Sequence, residues 1–265
     1  QTGKGVSDFH TGDRVVSNGN HAEYVVVNQN LCTRIPDNTD IKEASFTVLG
    51  SIALHGLRLS ETSLGSKVVV IGLGIIGQLV CRLAEAQGSE VIGIDPDTKR
   101  TDLSANFYTS VEEANMTNVD SVIITAATSS NEPIEVATKI ARNKAKIVVV
   151  GDIPLNISRN DFYYKELELV VSKSYGPGRY DKQYEILGKD YPIEYVRWTE
   201  NRNFEAFIKL LSQNQIHLLD LVTEEVSFEN APSIYKKFSG EDKPLSVVLR
   251  YDNKSEPKID LQRTV

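Results

Sequence analysis

The stretch KVVVIGLGIIG at residues 67–77 decides the fold of this 265-residue chain. Its first five residues form a largely β-branched run that predicts a buried strand. Three glycines follow, and apolar residues then recur at intervals of three and four over residues 75–87, which predicts a helix. Gly88 stands where the C-cap glycine of that helix belongs. The stretch therefore predicts a strand, a tight turn and a helix in direct succession.

The same alternation of strands and helices continues to residue 175. Strands are predicted at residues 90–94, 107–110, 120–125, 146–150 and 167–172, and a further helix at 133–142. Because these strands are apolar on both faces and are separated by helices, they indicate a parallel sheet covered on both sides. The fold class is therefore predicted to be α/β, with a doubly wound Rossmann sheet over residues 67–175.

The glycines follow the spacing G-x-G-x-x-G, in which each position has its own physical role. Gly72 permits the tight turn, Gly74 lets the backbone approach a pyrophosphate, and Gly77 lets the helix pack closely on the strand. The first helical residues, Ile75 and Ile76, offer free N–H groups and the positive end of the helix dipole to a phosphate. The motif predicts a dinucleotide-binding site because it lies between a strand and a helix.

Asp95 ends the second predicted strand, 23 residues after Gly72. A carboxylate at this distance accepts hydrogen bonds from ribose hydroxyls and repels a 2′-phosphate, so it favours NAD over NADP. Lys99 and Arg100 are cations that could instead hold a 2′-phosphate. NAD is therefore the expected cofactor, with NADP as the alternative.

Ala126, Gly151 and Ile153 follow two later strands, at the carboxyl edge where parallel sheets bind ligands. Their contacts to a nucleotide would come from backbone groups. Similar glycines also occur in sites for FAD and S-adenosylmethionine, and a Rossmann sheet that binds no nucleotide is a further alternative.

The composition excludes several classes of protein. The net charge is −7, from 29 Lys and Arg against 36 Asp and Glu, so no nucleic-acid partner is expected. No apolar run approaches the roughly 18–20 residues that cross a bilayer, so no membrane partner is expected. Cys32 and Cys81 cannot form a disulfide framework, which favours the reducing cytoplasm.

The flanking segments, residues 1–66 and 176–265, differ from the central one. Residues 12–15 (GDRV) and 22–27 (AEYVVV) are predicted to form antiparallel strands joined by turns. In the second flank the sequence predicts a helix at 204–211, and strands at 221–228 and 245–251 around a helix at 231–238. The polar tail from residue 252 onward is predicted to fray or to serve as a linker.

The order of these motifs resembles that of the medium-chain dehydrogenase/reductases, the zinc alcohol dehydrogenase superfamily. The residues that carry the resemblance are 12–15 (GDRV), 22–25 (AEYV), the glycine motif, Asp95 and 149–151 (VVG). It implies that the Rossmann domain at 67–175 interrupts a partial GroES-like, β-rich catalytic domain made of residues 1–66 and 176–265. It also implies an oxidoreductase that moves a hydride between NAD and an alcohol or carbonyl substrate, with Arg100 reaching the adenosine ribose.

A narrower resemblance is to bi-domain oxidoreductases of bacterial surface-polysaccharide gene clusters. It rests on residues 20–24 (NHAEY), 174–181 (SYGPGRYD) and 195–200 (YVRWTE). It implies a sugar derivative as substrate and a fused second dehydrogenase domain in the parent protein. The superfamily further implies a homodimer that pairs through the sheet edge at residues 167–172.

Two departures from the superfamily bear on the chemistry. The family's catalytic zinc takes a Cys and a His from a segment that precedes the start of this chain, and its third ligand would fall at residues 46–51 (FTVLGS), which contain none. No zinc or other metal is therefore expected here. Relatives carry a longer segment before the glycine motif, and the sole methionine is Met116, so the chain is expected to be N-terminally truncated.

The catalytic residues stay open at this point. His55 lies on the helix that in the family passes the nicotinamide, where an imidazole could shuttle protons or could simply pack. A substrate-facing patch is predicted from Arg179, Tyr180, Arg197 and Trp198. Its arginines could hold a carboxylate or phosphate, and Trp198 could stack on a sugar ring. The alternative is that all four side chains only pack. The alternative to an enzyme is a non-catalytic nucleotide-binding module that supports a separate catalytic domain.

Overall fold

The computed structural model describes residues 1–104, 106–238, 240 and 243–251, so the predicted polar tail lies outside the described residues. The strands are β1 Val15–Ser17, β2 Cys32–Arg34, β3 Lys67–Ile71, β4 Glu90–Ile94, β5 Phe107–Tyr108, β6 Val119–Ile124, β7 Ala141–Val149, β8 Glu168–Val171, β9 Glu224–Ser227 and β10 Val247–Arg250. The helices are α1 Ile41–Ala44, α2 Thr47–Leu59, α3 Ile75–Ala86, α4 Thr98–Thr101, α5 Val111–Ala114, α6 Glu132–Ile140, α7 Arg159–Lys165, α8 Lys182–Glu185, α9 Glu200–Ser212 and α10 Ala231–Phe238.

Six parallel strands form the central sheet, in the order β5-β4-β3-β6-β7-β8. The chain starts in the middle at β3, winds outward through β4 and β5, and then returns to build β6, β7 and β8 on the other side. This is the doubly wound Rossmann order, and the α/β fold prediction is confirmed. The switch in direction falls between β3 and β6, whose ends are aligned by the pairing of Ile71 with Ile124.

Both faces of the sheet are buried, as the strand sequences predict. Along β3, Val68 and Val70 belong to one apolar cluster, which includes residues of α2, α3 and α9. Val69 and Ile71 belong to a second cluster on the opposite face, with residues of α6. Because side chains alternate along a strand, a run of valine and isoleucine supplies both layers at once.

Helix α2 joins the sheet to the second flank. A Cβ built on Gly50 would lie 2.1 Å from the ring of Phe207, so α2 and α9 approach closely at this point. A Cβ on Gly56 would lie 2.6 Å from the side chain of Val150, which directly follows β7. Small residues on α2 therefore bring the loops at the carboxyl edge and the N-terminal half of α9 together.

The prediction of a strand at residues 22–27 is wrong. β1 pairs antiparallel with β2, Val15 opposite Arg34, whereas the segment between them is extended and irregular without a ladder. Val26 is 75% exposed, so the β-branched residues that suggested a strand bury no face here. A strand forms only where another strand offers its backbone, and no pattern within the segment reports that.

The second flank carries a small β-α-β unit. β9 and β10 pair in parallel, Glu224 opposite Val247, and α10 connects them. The predicted helices at 204–211 and 231–238 are confirmed, and the predicted strands at 221–228 and 245–251 are present in shorter form. The domain boundaries at residues 66 and 175 stay a prediction.

Candidate functional site

The glycine loop between β3 and α3 is built by close backbone contacts. Gly72 has a φ of +97°, which glycine adopts without strain. A Cβ on Gly72 would lie 2.5 Å from the backbone nitrogen of Ala126, and one on Gly77 would lie 1.9 Å from the carbonyl oxygen of Gly72. The side chain of Thr125 also donates a hydrogen bond to that carbonyl. Gly72 and Gly77 are therefore required by packing.

Gly74 differs because it faces open space. Apart from Gly74 itself and its two chain neighbours, no described residue has an atom within 4 Å of a Cβ built on Gly74. Gly74 is the N-cap of α3, and no side chain caps the first turn, which includes the N–H groups of Ile75 and Ile76. Unpaired N–H groups and the positive end of the helix dipole face this opening, so a pyrophosphate fits it.

Asp95 lies behind the loop at the end of β4 and is 4% exposed. Its Oδ2 accepts a hydrogen bond from the backbone N–H of Leu73 at 2.7 Å, and its Oδ1 accepts one from Asp97 at 2.9 Å. Arg100 reaches the same Oδ2 at 3.1 Å and the carboxylate of Asp97 at 3.3 Å. The structure thus brings Asp95 and Arg100 to the glycine loop, and two carboxylates already engage the guanidinium.

The remaining predicted nucleotide residues meet at the same edge of the sheet. The N–H of Ala126 donates to the carbonyl of Ile71 at 3.1 Å, and that of Gly151 donates to the carbonyl of Ile124 at 3.0 Å. A Cβ on Gly151 would lie 2.0 Å from the carbonyl oxygen of Ala126. Ile153 is buried beside them. The turns after β3, β6 and β7 therefore converge at the switch point.

His55 lies one layer away, on α2. Its Nδ1 and Cγ atoms lie 3.1 and 3.4 Å from the position that a Cβ on Gly176 would take, in the segment that follows β8. Burial, with a smaller contribution from Arg58, lowers the pKa of His55 below its usual range. The imidazole is therefore neutral at neutral pH.

A chain of hydrogen bonds continues from α2 into α9. Arg58 donates from Nε to Oδ1 of Asn203 at 3.1 Å, and Asn203 donates from Nδ2 to the carbonyl of Tyr175 at 3.0 Å. The hydroxyl of Tyr175 accepts a hydrogen bond from Asn18 of the first flank at 3.0 Å. Sequence reasoning missed Arg58 and Asn203. The available signal was the position of Arg58 one helical turn after His55, on the same face of α2.

The predicted patch of Arg179, Tyr180, Arg197 and Trp198 is divided into two groups. Arg179 lies over the ring of Tyr180, 4.1 Å from its centroid, and forms an ion pair with Glu185 at 2.8 Å. Arg197 lies instead over the ring of Trp198, 3.8 Å from its centroid. The Trp198 group is connected to α2 by the contact of Arg58 with the indole ring.

Glu200 is a buried carboxyl that no sequence pattern indicated. It is the first residue of α9 and is fully buried, and within the described part of the chain neither oxygen has a hydrogen-bond partner. Burial raises its pKa to about 8; the neighbouring carboxylate of Glu185 adds to this shift and Arg179 opposes it. Glu200 is therefore protonated at neutral pH.

We expect Glu200→Gln to stabilise the protein more at pH 8.5 than at pH 5. The folded state keeps a proton that the unfolded chain releases between its ordinary carboxyl pKa of 4.5 and about 8, so wild-type stability falls as the pH rises through this window. The amide removes that dependence, with a gain of at least about 1 kcal/mol at the higher pH. Urea unfolding at both pH values measures it, with Glu112→Gln on the exposed side of α5 as the control. A difference between variant and wild type that does not change with pH would show that Glu200 ionises normally.

The described side chains do not assemble a metal site. Among the residues that the structure describes, no three His, Cys, Asp or Glu side chains lie close enough to hold a metal ion. Burial raises the pKa of the Cys32 thiol to about 11 and also raises that of Cys81, so both are protonated thiols at neutral pH. The described residues also contain no helix long and apolar enough to cross a membrane.

Comparison with known families gives a nucleotide-binding match. Residues 50–161 match the NAD binding domain of the D-isomer specific 2-hydroxyacid dehydrogenases. This segment spans α2, the glycine loop and the sheet through β7, which are the elements that build the site described above.

Similarity to characterised proteins extends over most of the chain. The chain is 25% identical to D-guloside 3-dehydrogenase of Escherichia coli K12, over 90% of this chain and 70% of that protein. It is 28% identical to 2-dehydro-3-deoxy-L-galactonate 5-dehydrogenase of Pseudoalteromonas atlantica, over 58% of this chain and about half (49%) of that protein. All of these relatives are named as dehydrogenases.

Solved structures share the fold. Galactitol-1-phosphate dehydrogenase of Escherichia coli superposes with a TM-score of 0.74 at 21% identity, covering 94% of this chain and 80% of that one. The 2R,3R-butanediol dehydrogenase of Bacillus subtilis superposes with a TM-score of 0.73 at 18% identity, covering 95% and 78%. The resemblance to alcohol dehydrogenases is therefore confirmed for the fold.

Proposed function

We propose that the chain is an alcohol-dehydrogenase-like oxidoreductase that transfers a hydride between NAD(H) and a hydroxyl or carbonyl group of a sugar derivative. The observation that carries this proposal is the open cradle in front of Gly74, which faces the uncapped first turn of α3 and has buried Asp95 behind it. The named relatives are dehydrogenases of sugar derivatives, which supports an enzyme over a non-catalytic scaffold.

The electrostatics of the cradle favour NAD over NADP. Asp95 places a buried carboxylate where the adenosine ribose would lie, and a 2′-phosphate there would meet like charge. Arg100 is paired with Asp95 and Asp97, so its charge is already balanced. Backbone groups of the turns at Ala126, Gly151 and Ile153 would line the rest of the dinucleotide.

We expect Asp95→Asn to weaken NADH binding by about tenfold, because the ribose loses a charge-assisted hydrogen bond. NADPH should lose less, since the variant also removes the repulsion of its 2′-phosphate. Calorimetric titration with both nucleotides gives the ratio of the two affinities, which is expected to fall. Asp97→Asn is the matched control, since Asp97 also forms an ion pair with Arg100 but lies outside the cradle. An unchanged ratio in Asp95→Asn would contradict the assignment of the ribose site.

When bound, a nicotinamide ring supplies or accepts the hydride, while the protein orients it and manages the proton. His55 is our candidate for the proton, because Gly56 beside it packs on Val150 and so holds His55 at the level of the carboxyl edge. Its lowered pKa leaves the imidazole neutral and able to accept a proton from an alcohol as the hydride leaves.

Assembly through the sheet edge is a further part of the proposal. β8 is the last strand of the sheet, and Val171 at its end is 59% exposed. The adjacent helix α7 exposes Tyr163 and Tyr164, so an apolar surface continues from the strand edge. A homodimer would cover both. The cytoplasmic location, the fused second dehydrogenase domain and the role in surface-polysaccharide synthesis rest on the sequence alone.

A further inference from the structure

Trp198, the only tryptophan of the chain, lies against two arginines. The Cζ atom of Arg58 is 3.4 Å from the centroid of its ring and that of Arg197 is 3.8 Å from it. The two guanidinium groups are therefore no more than about 7 Å apart, a distance at which like charges repel. The contact joins the last turn of α2 to the residue pair that precedes α9, so two distant parts of the chain meet there.

Neither guanidinium has a counter-charge among the described residues. Within the described ranges, no carboxylate lies within 4.0 Å of Arg58 or Arg197, whereas most other arginines of the fold have such a partner. The paired arginines are Arg34, Arg82, Arg100, Arg142, Arg179, Arg202 and Arg250. Burial and the proximity of Arg197 lower the pKa of Arg58 to about 10, which means that its surroundings destabilise the charged guanidinium.

Glu205 on α9 is the acid that influences Arg197, but among the described residues it forms no ion pair with either arginine. Arg202 and then Arg197 lower the pKa of Glu205, yet burial outweighs both and leaves that pKa above its usual range. Asn203 occupies only Nε of Arg58, through its amide oxygen. Both guanidinium groups thus have N–H donors that no carboxylate of the described residues accepts.

We propose that Arg58, Arg197 and Trp198 form a binding site for a small molecule that carries a phosphate or diphosphate group. Guanidinium groups bind phosphoryl oxygens through paired, charge-assisted hydrogen bonds, and the indole ring fixes the planes of both groups in advance. Two cations held by one indole ring, at most about 7 Å apart, can each donate to a different anionic oxygen of one such group. The net charge of −7 opposes a polyanionic partner such as nucleic acid.

This site is separate from the nucleotide cradle. The cradle is formed at the N-terminus of α3, whereas Arg58 lies in the last turn of α2 and Arg197 lies just before α9. Arg58 is one turn beyond His55 on α2, so an anionic ligand would lie next to the candidate for proton transfer. The inference does not depend on NAD binding.

Trp198 provides a local probe because all tryptophan fluorescence of the chain comes from it. Titration of the 265-residue chain with inorganic pyrophosphate, at constant ionic strength with sodium chloride, is expected to change the emission along a saturable curve. Arg197→Gln is expected to weaken pyrophosphate binding by at least about tenfold, and so is Arg58→Gln. Glucuronate distinguishes a carboxylate from a phosphate and is expected to bind more weakly than pyrophosphate.

Arg159→Gln is the matched control, because Arg159 also lies over an aromatic ring, that of Tyr163, 4.6 Å from its centroid. It should leave pyrophosphate binding within about twofold of wild type. Thermal melting by circular dichroism, run on each variant, confirms that each one is folded. The proposal is overturned if pyrophosphate produces no saturable change at up to millimolar concentration, or if Arg197→Gln and Arg159→Gln weaken binding equally.

Discussion

Replacing Gly74 by valine is expected to lower the affinity for NADH by at least about 100-fold, equivalent to nearly 3 kcal/mol, while Tm falls by no more than about 3 °C. The added side chain points into open space, because apart from the two chain neighbours no described residue has an atom within 4 Å of its Cβ. That space is where a pyrophosphate would approach the backbone of the first turn of α3. The backbone of Gly74, with φ −62° and ψ −178°, is open to valine, so the fold loses little beyond a weaker N-cap.

Fluorescence or calorimetric titration with NADH measures the affinity of Gly74→Val, and circular dichroism measures its Tm. Loss of binding in a folded variant would locate the pyrophosphate at this helix terminus. Retained binding at wild-type affinity would mean that the nucleotide lies elsewhere, however well the loop matches its motif.

Replacing Gly77 by valine is expected to destabilise the fold itself, by about 3 kcal/mol or more. The Cβ would lie 1.9 Å from the carbonyl oxygen of Gly72 and 2.8 Å from the hydroxyl of Thr125. Neither neighbour can move freely, because Gly72 also abuts Ala126 and the Thr125 hydroxyl bonds the Gly72 carbonyl. Helix α3 would therefore have to separate from β3.

Urea unfolding of Gly77→Val, compared with Gly74→Val, separates the two roles of the motif. We expect Gly77→Val to lower the midpoint and to lose NADH binding with it, whereas Gly74→Val loses binding alone. A Gly77→Val variant as stable as wild type would show that the strand and helix do not pack at the distance described here.

The central sheet could be predicted because its signals are local. The run at residues 67–71 contains, within five residues, the alternation that fills both apolar layers. Gly72, Gly74 and Gly77 have roles fixed by chain geometry over six residues, and Asp95 stands at the end of the next strand, where the sheet brings it to the loop. Each of these positions follows from spacing alone.

The polar region around α2 could not be predicted, because its contacts join distant segments. Arg58 and Asn203 are 145 residues apart, and Asn18 and Tyr175 are 157 residues apart. Glu200 follows Thr199 in a pattern typical of an exposed helix start, but its backbone N–H donates to the carbonyl of Pro177 at 2.9 Å, and its side chain is buried. The strand predicted at 22–27 failed for the same reason, since a pairing partner is a property of the whole fold.

Calorimetric titration of the wild-type chain with NADH, alongside Gly74→Val, tests the central claim most directly. We predict saturable heat of binding for the wild type, with an affinity in roughly the micromolar to submillimolar range. We predict no heat of binding for Gly74→Val at the same concentrations. Absence of heat with wild type at millimolar NADH, or equal binding by both proteins, would contradict a nucleotide site at the glycine loop.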